Sequence, residues 1–273
     1  MKKIALSSLI AVFAVSGAHA ANVIDGNPLY MPKANHFYSV SDLSSHTGHN
    51  DIKAWTLNEE FGYGITDKLA VAVSTDINNE QFFDQWSWGE TGLDLAFRAL
   101  DMGAWKLDVL GGYSVNAMWP NHQPMLKKVN TEYMWTLGVR GGYVASNWTL
   151  AAKALFNYWN TESFNWNEAA GLQGVHTVTL GLDGQYALCD KLNLVAGVEY
   201  NGVMDKEWNG VPGATVRNEG VWTGTIGANY NIDATKYVGV YMNADMNHQG
   251  GANRDEWEVQ NGFGFGAKFG IDF

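Results

Sequence analysis

The chain closes with Phe263-Gly264-Phe265-Gly266-Ala267-Lys268-Phe269-Gly270-Ile271-Asp272-Phe273. Phe263, Phe265, Ala267, Phe269, Ile271 and Phe273 are apolar, whereas the residues between them are glycine, lysine or aspartate. Period two over eleven residues is the mark of a strand with one apolar face. The same dyad recurs in Leu192, Leu194, Ala196, Val198 and Tyr200, and again in Leu180, Leu182, Gly184, Tyr186 and Leu188. Further copies run through 222–232, 148–158, 133–143, 105–115 and 69–75. Apolar-faced strands of about ten residues have the length a tilted strand needs to cross a bilayer.

The connections alternate in length, which sets the topology. Short turns fall at Thr66-Asp67-Lys68, Asp101 to Ala104, Ser146-Asn147, Cys189-Asp190-Lys191 and Asp233-Ala234-Thr235. Longer polar loops fall near 45–51, 79–88, 117–130, 160–173, 203–218 and 248–256. Five short turns and six longer loops join twelve strands and put both termini on the short-turn side. An aromatic precedes each short turn, at Tyr63, Phe97, Tyr143, Tyr186 and Tyr230, and Phe273 completes the register. Trp55, Trp88, Trp135, Trp159, Trp222 and Trp257 lie near the opposite strand ends, so the two sets mark two membrane interfaces. The first strand, His36 to Leu43, is ambiguous in register.

Composition agrees with this architecture. Of 273 residues, 31 are Gly and 12 are Trp, and the formal charge of −11 opposes binding to nucleic-acid phosphates. A lone Cys189 excludes a disulfide framework. Lys2-Lys3, the apolar run Ile4 to Val15 and Ala18-His19-Ala20 read as a cleaved export signal over residues 1–20. An N-terminal segment, 21–33, then precedes a barrel domain, 34–273.

These residues resemble bacterial outer-membrane β-barrel proteins of the small porin-like kind. The resemblance covers the whole mature chain, and its most specific element is the last strand, where Phe265, Phe269, Ile271 and Phe273 look like the signal read by the barrel assembly machinery. It implies an all-β, antiparallel up-and-down barrel, integral to the outer membrane, with both termini periplasmic. Lipid and lipopolysaccharide are the expected surroundings, and Lys127-Lys128 in a long loop is a candidate contact with lipopolysaccharide phosphates. The family includes passive pores, lipid hydrolases, proteases and adhesins, so the fold leaves function open. A soluble lipocalin-like barrel or sandwich is disfavoured by the aromatic registers and by the length of the strands.

With the apolar set facing lipid, the alternate set faces the lumen. Inward acids are Glu60, Asp76, Asp94, Asp108, Asp183, Glu199, Asp245 and Glu258, and inward bases are Arg98, Lys106, Arg140, Lys153 and Lys268. The lumen leans acidic, which points to a weak cation preference. Charge pairing within a packed interior is the competing reading. Inward glycines, Gly112, Gly138, Gly142, Gly181, Gly197, Gly227, Gly239 and Gly266, argue for open volume. Twelve strands imply a backbone diameter of roughly 24 Å, and about 10 Å of it stays open past short side chains. Small hydrophilic solutes fit such a passage. Glu59 breaks the scheme: it has the outward parity of Leu57 and Phe61, so a bulge at Asn58 to Glu60 or a site near an interface is expected.

Enzyme function ranks below the channel and below a non-conducting structural or surface-interaction barrel. No serine motif accompanies the histidines His36, His46, His49, His122, His176 and His248. His46 and His49 with Asp51 lack a clear third metal ligand. No catalytic residue, cofactor or metal is assigned.

Overall fold

A computed structural model describes residues 27–47, 53–80, 85–118, 130–162, 173–204, 221–247 and 262–273. The twelve strands are β1 (Phe37–Thr47), β2 (Lys53–Thr66), β3 (Leu69–Glu80), β4 (Gln85–Met102), β5 (Trp105–Met118) and β6 (Asn130–Val144), followed by β7 (Trp148–Glu162), β8 (Gln173–Cys189), β9 (Leu192–Val203), β10 (Val221–Asn231), β11 (Lys236–Asn247) and β12 (Phe263–Asp272). Each pairs antiparallel with its neighbours in sequence, and β1 pairs with β12 to close the barrel. Closure leaves no edge strand, as a sheet in hydrocarbon requires. The seam is fastened at its end by reciprocal backbone bonds between Phe37 and Phe273, 3.0 and 2.9 Å.

The expected parity holds. Leu137, Leu182, Ile226, Val240 and Phe269 are exposed on the outside, while Asp108, Arg140, Lys153 and Glu199 are buried on the inside. That inversion of a water-soluble protein's pattern makes sense only if the outer wall is solvated by lipid. Among the turn-side aromatics, Phe97, Tyr186, Tyr230 and Phe273 face outward and exposed. Tyr63 packs on Phe37 and Tyr143 on Trp105, at ring separations of 4.5 and 5.1 Å. At the opposite end Trp88, Trp135 and Trp222 are exposed. Trp257 lies outside the described residues.

The first hairpin resolves without the bulge expected near Glu59. Asn58, Glu59 and Glu60 pair in unbroken register with Asp76, Thr75 and Ser74. The irregularities lie elsewhere, between Gly64 and Thr66 and between Thr75 and Ile77. Glu59 therefore faces out at mid-strand, where it accepts a 2.8 Å hydrogen bond from Ser41.

The facing assignment is testable at Ala196, which points outward between Gly184 and Ile226. Ala196→Arg is expected to cost roughly 2–4 kcal/mol in refolding titrations, the range for a basic residue at the bilayer midplane. Gly197→Ser points inward and costs less; its Cβ meets the end of the Asp183 side chain at 2.5 Å, and that carboxylate can swing aside. Equal costs for the two would overturn the parity.

Candidate functional site: the lumen and its N-terminal strap

Strand register assembles the inward charges into clusters. Arg98, Asp108 and Arg140 are direct cross-strand partners on β4, β5 and β6. Arg98 Nε donates to Asp108 Oδ1 at 2.7 Å, and Arg140 Nη2 donates to Oδ2 at 2.6 Å. Asp108 is 0% exposed and shared by two guanidiniums, so the cluster is a buried triad with one excess positive charge.

Two further clusters depend on a side chain crossing an intervening strand over a glycine. Lys153 on β7 faces Gly181 on β8, which faces Glu199 on β9. A Cβ at Gly181 would sit 2.5 Å from Lys153 Cε. With no Cβ there, the lysine reaches Glu199 at 2.5 Å and Asp183 at 3.8 Å. Likewise Tyr241 on β11 lies over Gly266 on β12 and donates to Asp42 on β1 at 2.9 Å. Lys268 reaches the same carboxylate at 3.3 Å and sits 4.8 Å from the Tyr241 ring centroid. Inward glycines thus act as wells in which neighbouring side chains lie along the wall, and they are not open volume in themselves.

Of the other expected lumen residues, Asp94 lies along the wall over Gly112, and Glu60 accepts from Tyr38 at 2.8 Å. Near the loop-side rim Asp245 accepts from Thr223 at 2.7 Å and Asp76 from Asn58 at 2.5 Å. Lys106 is at the turn-side rim, paired with Asp101 at 2.9 Å. Glu258, His49, His122, His248 and Lys127-Lys128 lie outside the described residues. Asp42, Tyr38 and Tyr241 were not among the sequence candidates.

The largest addition is the segment before β1. Asn27 opens it by accepting the Leu29 N–H on its side-chain oxygen, 3.0 Å, and the Tyr30 N–H on its carbonyl, 3.1 Å. Leu29 is 1% exposed and Pro28 is fully buried. Arg98 Nη2 donates to the Leu29 carbonyl at 2.7 Å, and Arg140 Nη2 to the Tyr30 carbonyl at 3.3 Å. The Tyr30 hydroxyl donates to Asp272 at 3.4 Å, and its ring packs edge-on against Tyr38 at 5.9 Å. Arg140 is on β6 and Asp272 on β12, six strands apart in a ring of twelve. Tyr30 therefore bridges opposite walls, and the strap crosses the lumen at its turn-side end.

The exit of the strap is equally built. Asn35 adopts a left-handed turn, φ 63°, which asparagine tolerates well. Its N–H bonds the Gly64 carbonyl at 2.7 Å, and the Ala34 N–H bonds Asp67 at 3.0 Å. The Lys33 carbonyl lies where a Cβ at position 64 would be, so only glycine admits the strap there.

Comparison with known structures places the fold. The translocator domain of autotransporter NalP from Neisseria meningitidis is similar with a TM-score of 0.59 at 12% identity, covering 98% of this chain and 96% of that one. An outer membrane channel from Pseudomonas putida F1 is similar with a TM-score of 0.57 at 10% identity, covering 89% and 97%. The NanC porin is similar with a TM-score of 0.53 at 7% identity, covering 84% and 98%. No protein-family model and no curated protein matches the chain. The chain has the fold of bacterial outer-membrane β-barrels.

Proposed function

We propose that the protein is a narrow diffusion channel for small hydrophilic solutes and ions in a bacterial outer membrane, with both termini periplasmic and the strap restricting its periplasmic end. The observation that carries this reading is the polar inner wall, which runs from Asn193 and Asn229 at the turn side to Asn157, Thr223 and Asp245 at the loop side. Such a wall offers hydrogen-bonding groups along the length of the barrel, the lining that passage of hydrophilic solutes needs. Two of the three similar structures are described as a porin or a channel, which supports the reading without carrying it. The barrel assembly machinery is the proposed reader of the last strand, and the reading assigns no catalysis.

Single-channel recording of the refolded protein tests the proposal, and reversal potentials across a salt gradient test its sign. Lys153, Asp183 and Glu199 together carry −1 when ionised. Asp183→Asn with Glu199→Gln leaves the lysine alone, converting that −1 to +1. Any cation preference of the parent should weaken or invert, most visibly at 0.01 M salt, where the Debye length is about 30 Å, and least at 1 M, where it is about 3 Å. An unchanged reversal potential at low salt would refute the electrostatic assignment.

The second reading is a non-conducting structural barrel, and the lumen-spanning contacts of Tyr30 favour it. The two readings separate on a strap-deleted protein, because only the first expects it to conduct.

A further inference from the structure

Beneath the strap lies a charged site covered by neutral groups. Arg98, Asp108 and Arg140 set two guanidiniums against one carboxylate, a surplus of one positive charge. On the next strand along the same inner row Lys153 engages Glu199 and Asp183, so those acids already have a cation of their own. The donors that the triad turns toward the strap are one Nη2 from each arginine, and they hold two successive carbonyl oxygens, of Leu29 at 2.7 Å and of Tyr30 at 3.3 Å. A carbonyl offers such a pair only a dipole. A carboxylate offers a full charge and two oxygens in the geometry guanidinium groups favour.

We infer that Arg98 and Arg140 form a binding site for a carboxylate-bearing solute, which competes with the Leu29 and Tyr30 carbonyls for the two Nη2 donors and thereby unseats the strap. A single carboxylate matches the surplus charge, whereas a neutral solute or a cation leaves it standing. The strap is fastened at one end only by bonds this competition does not touch: the Asn35 N–H to the Gly64 carbonyl and the Ala34 N–H to Asp67, 2.7 and 3.0 Å, hold its exit on β2 and the turn that follows. Burial of Pro28 and Leu29 keeps the other end seated when no anion is present. A solute that binds only the unseated barrel shifts the population toward it as its concentration rises. The site deepens the channel reading, since its solute is the one that widens the passage, but binding itself requires no conduction.

The test uses the refolded full chain carrying Cys189→Ala and Leu29→Cys, which puts a thiol at a buried strap position and keeps both backbone carbonyls. Labelling by N-ethylmaleimide is timed in sodium acetate, in sodium chloride of the same ionic strength, and in chloride with added acetamide, the neutral counterpart of acetate. A tethered segment competes at an effective concentration in the millimolar range, so acetate is titrated through and above it. Acetate should speed labelling several-fold over chloride, and acetamide should not. Adding Arg140→Gln, or separately Arg98→Gln, leaves one arginine in a neutral pair with Asp108, and the acetate effect should vanish in barrels whose heat-modifiable migration shows them folded. Equal rates in acetate and chloride overturn the inference, as do acceleration by acetamide and an acetate effect that survives both substitutions. Acetate-dependent labelling of a barrel that is silent in planar bilayers keeps the site and removes the channel reading.

Discussion

Deleting residues 27–33 is expected to raise the conductance of the refolded barrel several-fold while leaving its assembly intact. The strap crosses the lumen at its turn-side end from Arg140 on β6 to Asp272 on β12, and a polypeptide segment so placed narrows any passage there. It contributes no strand: β1 begins at Phe37, and the closing bonds from Phe37 to Phe273 lie beyond the deletion. Its loss removes the bonds from Arg98 and Arg140 to the Leu29 and Tyr30 carbonyls and leaves both guanidiniums paired with Asp108. Leu29→Lys provides an independent route, because an ammonium in place of a 1%-exposed leucine, beside a triad that already carries one excess positive charge, disfavours the seated strap without shortening the chain. Both variants should show longer open times than the parent in planar bilayers. Equal conductance of parent and variants would show that the strap is no obstruction, and silence from all three would leave the non-conducting barrel as the better reading.

The strands were legible because lipid imposes the simplest rule a sequence can carry, apolar on one parity and polar on the other. Residues 263–273 obey it throughout and 192–200 break it only at Val195, and turn chemistry such as Thr66-Asp67-Lys68 marks the ends. The rule weakens where the outer wall is itself polar. In β1, Ser39 and Ser41 lie on the outward parity, so both faces read as hydrophilic and Asp42 could not be placed on the inner wall. The same row made Glu59 look like a bulge.

The strap was not legible for a different reason. Asn27 to Lys33 has no period, and its partners Arg98, Arg140 and Asp272 lie 69, 110 and 242 residues from the positions they hold. One local sign existed: glycine at 64, in a strand otherwise free to carry a side chain, marks a backbone passing close by. The inward glycines are legible as inward, but the space above them is taken by neighbouring side chains. Period-two reasoning tells which wall a glycine faces and not which side chain of the adjacent strand lies across it.

Asp108→Asn should destabilise the folded barrel by about 3–5 kcal/mol, the cost of breaking a buried ion pair from one side. The substitution preserves shape, so the loss comes from charge: Arg98 and Arg140 are left facing each other with their shared anion gone, and both are nearly inaccessible to water. The remaining donors already bond the Leu29 and Tyr30 carbonyls, which carry only partial charge and cannot replace a carboxylate. The triple variant Asp108→Leu, Arg98→Met, Arg140→Met removes the whole triad and should recover most of the lost stability, since apolar replacement of a buried charge cluster is often neutral or better. It should not restore the strap, whose two carbonyls lose their donors. Urea titration in liposomes therefore ranks parent and triple variant close together with Asp108→Asn below them, whereas conductance ranks the triple variant highest. If conductance merely followed stability across the three proteins, the triad would be a strut of the barrel wall and not the anchor of the strap.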